Sequence, residues 1–216
     1  MKLKRSHGMA LVLMGVFILT RWPGLMPPNF SAAYGLIFCA GVYFRGELAW
    51  WIPLATMAVA DGLLGFYYWH ESHIPLQWYQ LTNYPVYLVL LGLGRWFRPR
   101  DSWGKLVGGG VLGAILFYFL TNTAAWFFNP FGNPEYSKTL EGWWRALTLG
   151  TAGHPSTWEF LLNTLLSGGL FTGLFVGAMK AVDVTESAAE KATANVPARE
   201  AQEEGVGEPE APESTA

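Results

Sequence analysis

Six apolar runs, parted by short polar connections, constrain this chain more than any other feature. They cover roughly residues 9–22, 30–45, 48–69, 84–97, 104–128 and 157–181. A straight membrane-spanning helix needs about 20 mostly apolar residues. The third, fifth and sixth runs meet that length. The first, second and fourth are shorter, which predicts thin, tilted or partly re-entrant helices there. The expected fold is an all-α membrane protein: about six transmembrane helices in one bundle over residues 1–182, with a tail after it.

The first run follows a basic start, "MKLKRSH", as in a signal peptide. However, "RWPGLMPPNF" comes next, without a small-x-small cleavage site, so the segment reads as a retained helix. Charge divides the chain. From Asp183 onward there are nine acidic residues against Lys191 and Arg199, a net charge of −7; residues 1–182 carry a net charge of +5. The tail has no periodic apolar face that could offset the entropy of ordering, so residues 183–216 are expected to be a disordered acidic tail.

Lys and Arg also orient the bundle. With the N-terminus in the cytoplasm, the inner segments hold Lys2, Lys4, Arg5, Arg45, Arg95, Arg98, Arg100, Lys105 and Lys180. The outer segments hold only Arg21, Lys138 and Arg145. Such asymmetry favours six spans with both ends inside. The outer segment after the fifth run is too polar to cross. Its stretch from Thr139 to Leu149 reads as a short amphipathic helix on the outer surface.

This topology puts the polar residues at one depth. Asp61, in "MAVADGLLGFY", falls in the outer half of the third span. Asn122 ("LTNTAAW"), Asn163 ("LLNTLL") and Asn29 ("PPNF") come to the same level. An ionisable group inside a membrane costs a few kcal/mol or more, and it usually faces a cavity or a partner. Asp61 could cap a helix broken at Asp61-Gly62, pair with Arg21, or form one wall of a pocket. For Asn122 and Asn163, hydrogen bonds between helices are the plain reading. An outward-facing pocket would be lined by Asn29, Asp61, Asn122 and Asn163, with Tyr67, Trp126 and Trp158 as aromatic walls.

Other chemistries lack their residues. The single cysteine, Cys39, excludes an internal disulfide and any multi-cysteine metal site. His70 and His73 in "HESH" have no third firm ligand, so no metal site is expected. Ser167 has no histidine within the spans to serve as its base, and Asp61 has no second deep carboxylate. There is no phosphate-binding GxxxxGK[ST] loop. The basic residues follow membrane topology, which leaves no sign of nucleic-acid binding. The chain is not expected to be an enzyme or to need a cofactor. Glycines at 169, 173 and 177 recur every four residues, a spacing that suits close helix packing.

The segments "RWPGLMPPNFSAAYGLIFCAGVYF", "PLATMAVADGLLGFY", "FYFLTNTAAWFF", "EYSKTLEGWWRALTLG" and "LLNTLLSGGLF" together resemble a family of uncharacterised bacterial membrane proteins regarded as transport proteins. The matching positions are Pro28, Asn29, Phe30, Asp61, Gly62, Gly65, Asn122 and Asn163. In size, number of spans and outline that family is similar to the substrate-binding S-components of energy-coupling factor transporters. The resemblance implies capture of a small, vitamin-like solute from outside. It also implies a transmembrane coupling protein and cytosolic ATPases as partners. Two patterns of those transporters are absent: the first span has Met14 four residues after Ala10, where an Ala-x-x-x-Ala docking pattern is usual, and the Met-His start of metal-transporting relatives is missing. The competing expectation is a membrane scaffold that assembles through its glycine faces, with a purely structural polar cluster.

Overall fold

The computed structural model describes residues 5–74 and 78–194. Each apolar run becomes a helix: α1 (Arg5–Thr20), α2 (Ala33–Tyr43), α3 (Leu48–Ser72), α4 (Asn83–Arg95), α5 (Trp103–Phe128) and α7 (Thr157–Ala194). A 3-10 turn, Trp78–Thr82, precedes α4, and α6 (Leu140–Thr148) is the short amphipathic helix. Among the described residues there is no β-strand.

Side-chain contacts fix the helix directions. Met14 and Arg21 meet Thr56 and Asp61 of α3 in the same order, so α1 and α3 run parallel. Asp61 and Trp50 of α3 meet Tyr84 and Arg95 of α4 in opposite order. Tyr34 and Phe38 of α2 face Phe117 and Gly109 of α5, and Tyr87 and Leu90 of α4 face Phe117 and Gly113, again antiparallel. Gly110 and Ala114 of α5 meet Thr172 and Gly168 of α7. Thus α1, α3 and α5 point one way and α2, α4 and α7 the other.

Glycine permits the closest approaches. Gly41 of α2 lies on the Leu91 carbonyl, and Gly94 of α4 lies on the Phe38 carbonyl, so the two backbones touch. Thr172 of α7 sits in a notch between Gly35 of α2 and Gly110 of α5. As a result α2 is buried from Ala33 to Val42, as expected of a helix that is apolar on every side. The outward faces of the other helices are equally apolar: Val12, Val59, Phe66, Ile115, Leu166 and Leu174 are all exposed. Apolar exposure on this scale suits lipid and not water. Ala49–Ser72, Trp103–Phe128 and Thr157–Thr185 are long and apolar enough to cross a membrane. These features mark a membrane protein.

α6 docks on the end of α5. The Tyr118 hydroxyl donates to the Leu147 carbonyl, and Trp143 Nε1 donates to Thr123 Oγ1 at 3.1 Å. Thr139 caps the helix by accepting from the Gly142 amide at 3.2 Å. At the opposite end of the bundle, the cationic loop after α4 is tied down. Lys180 Nζ donates to the Pro99 and Asp101 carbonyls at 3.3 and 3.0 Å. Asp101 Oδ2 accepts from the Arg98 amide at 2.9 Å and pairs with Lys105 at 3.0 Å.

One expectation is corrected. α7 continues to Ala194, so the first twelve residues of the segment expected to be disordered are helical. "DVTESAAEKATA" contains Ala, Glu and Lys, which are strong helix formers, and it extends a helix that is already nucleated. Propagation from α7 removes the cost that the same sequence would meet alone. Residues 195–216 of the expected tail lie outside the described residues.

Two outcomes follow from this packing. Gly94→Ala should lower stability by ~1–3 kcal/mol, since the added methyl meets immovable backbone. Gly92→Ala, which meets nothing, should leave the thermal unfolding midpoint in detergent unchanged. Asp101 is held below the usual carboxylate value of 3.8, chiefly by the Arg98 amide and then by Lys105. Its contribution to stability is therefore full above the unfolded value and lost as pH falls through the lowered folded value. Asp101→Asn should flatten that acid limb in a stability–pH profile.

Candidate functional site

Two short helices open a cavity at the Arg21 end of the bundle. With 11 and 13 residues, α2 and α4 reach only about 16 and 20 Å at 1.5 Å per residue. Both begin part-way into the bundle, and a non-helical strap (residues 21–32) and the 3-10 turn occupy the space before them. Irregular backbone is tolerated at membrane depth where it lines a cavity. The cavity measures about 1070 Å³ and reaches from the starts of α2 and α4 to the C-terminal part of α5, the N-terminus of α7 and the loops on either side of α6.

The strap has a defined shape. Phe30 N donates to the Pro27 carbonyl at 3.0 Å, and Asn29 has a φ of 59°. That is the pattern of a type II turn, with Pro28 second and Asn29 in the position that requires positive φ. Asn163 of α7 donates through Nδ2 to the Pro28 carbonyl at 2.9 Å, and Tyr34 donates to the Asn29 carbonyl at 3.2 Å. Phe30 stacks edge-on against Phe171, and Trp22 against Tyr67, at 5.9 and 5.5 Å between centroids.

Charge enters the cavity through Arg21. Its Nη2 lies 2.9 Å from Asp61 Oδ1, and Tyr84 donates to Asp61 Oδ2 at 3.1 Å. Both side chains are mostly buried, 21% and 15% exposed. The guanidinium also lies beside the Tyr87 hydroxyl. One ion pair thus joins α1, α3 and α4 at the depth where α4 begins. Arg21 lines the cavity and Asp61 does not. Eleven of the other lining residues are aromatic, among them Trp22, Tyr34, Tyr68, Tyr87, Phe117 and Phe160. Thr121 and Asn122 of α5, Asn133 and His154 add polar groups. In the loops nearest the mouth, burial holds the Tyr79 and Tyr136 phenols above their usual value of 10, so both stay neutral donors at physiological pH. Glu135 accepts from the Ala152 amide at 3.1 Å and is held low by this bond and one to its own amide. It ties together the two loops flanking α6.

The seven residues singled out in the sequence fare differently. Asn29 and Asn122 line the cavity, Asn122 with its Nδ2 turned to the Tyr118 carbonyl at 2.8 Å. Asn163 stands behind the strap and Tyr67 behind Trp22. Trp126 lies off the cavity wall: its Nε1 donates to the Ser137 carbonyl at 2.7 Å, and Lys138 covers its ring at 5.3 Å. Trp158 also lies outside the wall and is 54% exposed. Asp61 neither breaks nor caps α3, which runs straight through it. Its carboxylate is turned to Arg21 and Tyr84, and Arg21 takes the place at the wall. Sequence reasoning missed the tyrosines at 34, 68, 79 and 87. Their signal was tyrosine in place of phenylalanine at the cavity ends of helices, which in a membrane chain also reads as an interfacial belt.

The glycines singled out in α7 are used within the chain. Gly169 packs on Val111, and Gly173 on Trp103 and Val107; only Gly177 is open. Among the described residues, no group of three or more His, Cys, Asp or Glu is placed to hold a metal ion. His70 and His73 lie against Phe66 and Trp69.

The chain belongs to DUF6580, a family of unknown function. The match covers residues 1–192, and so includes the strap, the ion pair and most of the helical extension of α7. Comparison with curated proteins and with solved structures returns no match.

Removing Asp61 should leave a mostly buried guanidinium uncompensated, a loss of ~3 kcal/mol or more. Asp61→Ala is expected to lower the unfolding midpoint in nanodiscs markedly, and the double variant Arg21→Gln/Asp61→Asn to recover most of the loss. Equal midpoints for Asp61→Ala and the parent would show that the pair does not hold the three helices.

Proposed function

We propose that this protein is the solute-binding component of a membrane transporter, similar to an energy-coupling factor S-component. The observation that supports it most is the aromatic, arginine-bearing cavity of about 1070 Å³ at one end of the bundle. Pockets for small organic molecules are concave and mostly apolar, with a few polar groups that fix orientation, and have volumes of about 300–1,000 Å³.

In this reading all six bundle helices cross the bacterial cytoplasmic membrane, with both termini inside. The alternating helix directions support that topology. So does the gathering of Arg95, Arg98, Lys105 and Lys180 at the end away from the cavity, as the cytoplasmic bias of Lys and Arg requires. The cavity then opens outward and takes a small, vitamin-like solute between the strap, α5 and the flanking loops. A separate transmembrane coupling protein and cytosolic ATPases supply the energy. The scaffold reading has less support, since the glycines that would form its docking face are mostly covered by α5.

Topology is tested by labelling with a membrane-impermeant maleimide, for which the buried Cys39 gives a quiet background. Pro134→Cys should label in intact cells and Arg100→Cys only after lysis; the reverse would invert the orientation. Binding is tested by thermal shift against a vitamin panel. For a stabilising solute, Asn122→Ala and Tyr87→Phe should each weaken affinity by ~5–10-fold, near 1 kcal/mol, and Trp158→Ala should leave it unchanged. Loss of binding only in the Trp158 variant would place the solute elsewhere.

A further inference from the structure

The polarity of the Arg21–Asp61 pair bears on what enters the cavity. The cationic partner forms part of the wall and the anionic partner stands behind it. Among the described residues, no Asp or Glu lines the cavity, whereas Arg21 and His154 do. Asp61 is already committed, one oxygen to Arg21 and the other to the Tyr84 hydroxyl. A guanidinium has five N–H donors in a fixed fork. The ion pair with Asp61 engages Nη2, and Arg21 lines the cavity, so the rest of the fork can serve a ligand there. The pair therefore presents its positive end to a partly dry space, where charge-assisted hydrogen bonds are strong.

The rest of the wall describes the body that such a charge would carry. Tyr34, Tyr87 and Phe117 lie together at the floor, with Tyr87 and Phe117 stacked at 5.8 Å and 11° and Tyr34 4.7 Å from Phe117. Tyr34 and Tyr87 are buried and packed on Phe117, so the floor is a tight apolar base. The open ring faces belong to Trp22, Tyr68, Phe128 and Phe131 of the wall, which suit an aromatic body. A single arginine fork, with no second cation at the floor, suits one carboxylate better than a phosphate ester carrying two charges.

We propose that the cavity selects an aromatic organic carboxylate, whose carboxyl group meets Arg21 and whose body lies among the exposed wall rings above the Tyr34–Tyr87–Phe117 floor. This rests on the solute-binding reading above. In this arrangement Asp61 is a positioning residue: it holds the guanidinium against the wall and does not touch the ligand.

The test uses the full chain in nanodiscs and three matched series of compounds on naphthalene and quinoline rings: the carboxylate, its primary amide and the corresponding methylammonium. Thermal shift and tryptophan quenching read the binding. The carboxylates should bind at least ten-fold more tightly than the amides, and the ammonium series least. Arg21→Gln/Asp61→Asn keeps the site neutral; it should lose the preference for carboxylate over amide, most of the loss falling on the carboxylates, and its unfolding midpoint without ligand checks that it is folded. Arg21→Lys should retain part of the preference. Amides or ammonium compounds that bind as well as the carboxylates would overturn the charge assignment and leave solute binding standing. Should no series and no vitamin shift the melting, both readings fall.

Discussion

Backbone contact between α2 and α4 at Gly41 and Gly94 is the constraint on which the rest of the structure depends. Lipid tails are as apolar as leucine, so helices in a bilayer gain little from burying apolar side chains against each other. Close approach and dispersion must supply the attraction instead. Here glycine supplies the closeness, at Gly41 and Gly94 and again where Thr172 enters the notch of Gly35 and Gly110. These contacts draw α4, α5 and α7 around α2 and bury it along ten consecutive residues.

The cavity follows from the same arrangement. α2 and α4 run parallel, are both short and start at the same depth, so the bundle is closed at one end and hollow at the other. Around the hollow, α5 and α7 continue and hold its wall. The strap is held over it by one long-range hydrogen bond, from Asn163 to Pro28, and by two aromatic contacts. Without the tight packing below, the two helix starts would not share a level and the ion pair would have no fixed floor.

The Arg21–Asp61–Tyr84 linkage makes this floor specific. Three helices contribute to it, and removing one partner exposes the others to the desolvation cost of a buried charge. It also converts an aspartate that looked like a binding group into a support for an arginine. In the proposed reading, structural and functional roles of Asp61 are two aspects of one arrangement, since an arginine that meets a ligand must itself be anchored.

Much of this was legible in the residues. Apolar run length placed five of the six bundle helices within a few residues at both ends and α7 at its start, and the amphipathic helix from Leu140 to Thr148 stands where the pattern put it. These are local properties, carried by each segment's own composition and spacing. That Asn29, Asp61, Asn122 and Asn163 lie toward one end of the bundle was also legible, because the end follows from position along a helix. Which side of a helix each residue presents to a neighbour was not. That depends on helix rotation and crossing, set by glycine contacts far apart in sequence. Only the tertiary structure decided that Arg21 lines the cavity while Asp61 stands behind it, that Trp126 and Trp158 lie off the wall, and that five tyrosines share it. The helical start of the tail belongs to the same class: its residues favour a helix, but so short a segment is marginal alone, and α7 provides the nucleus from which it grows.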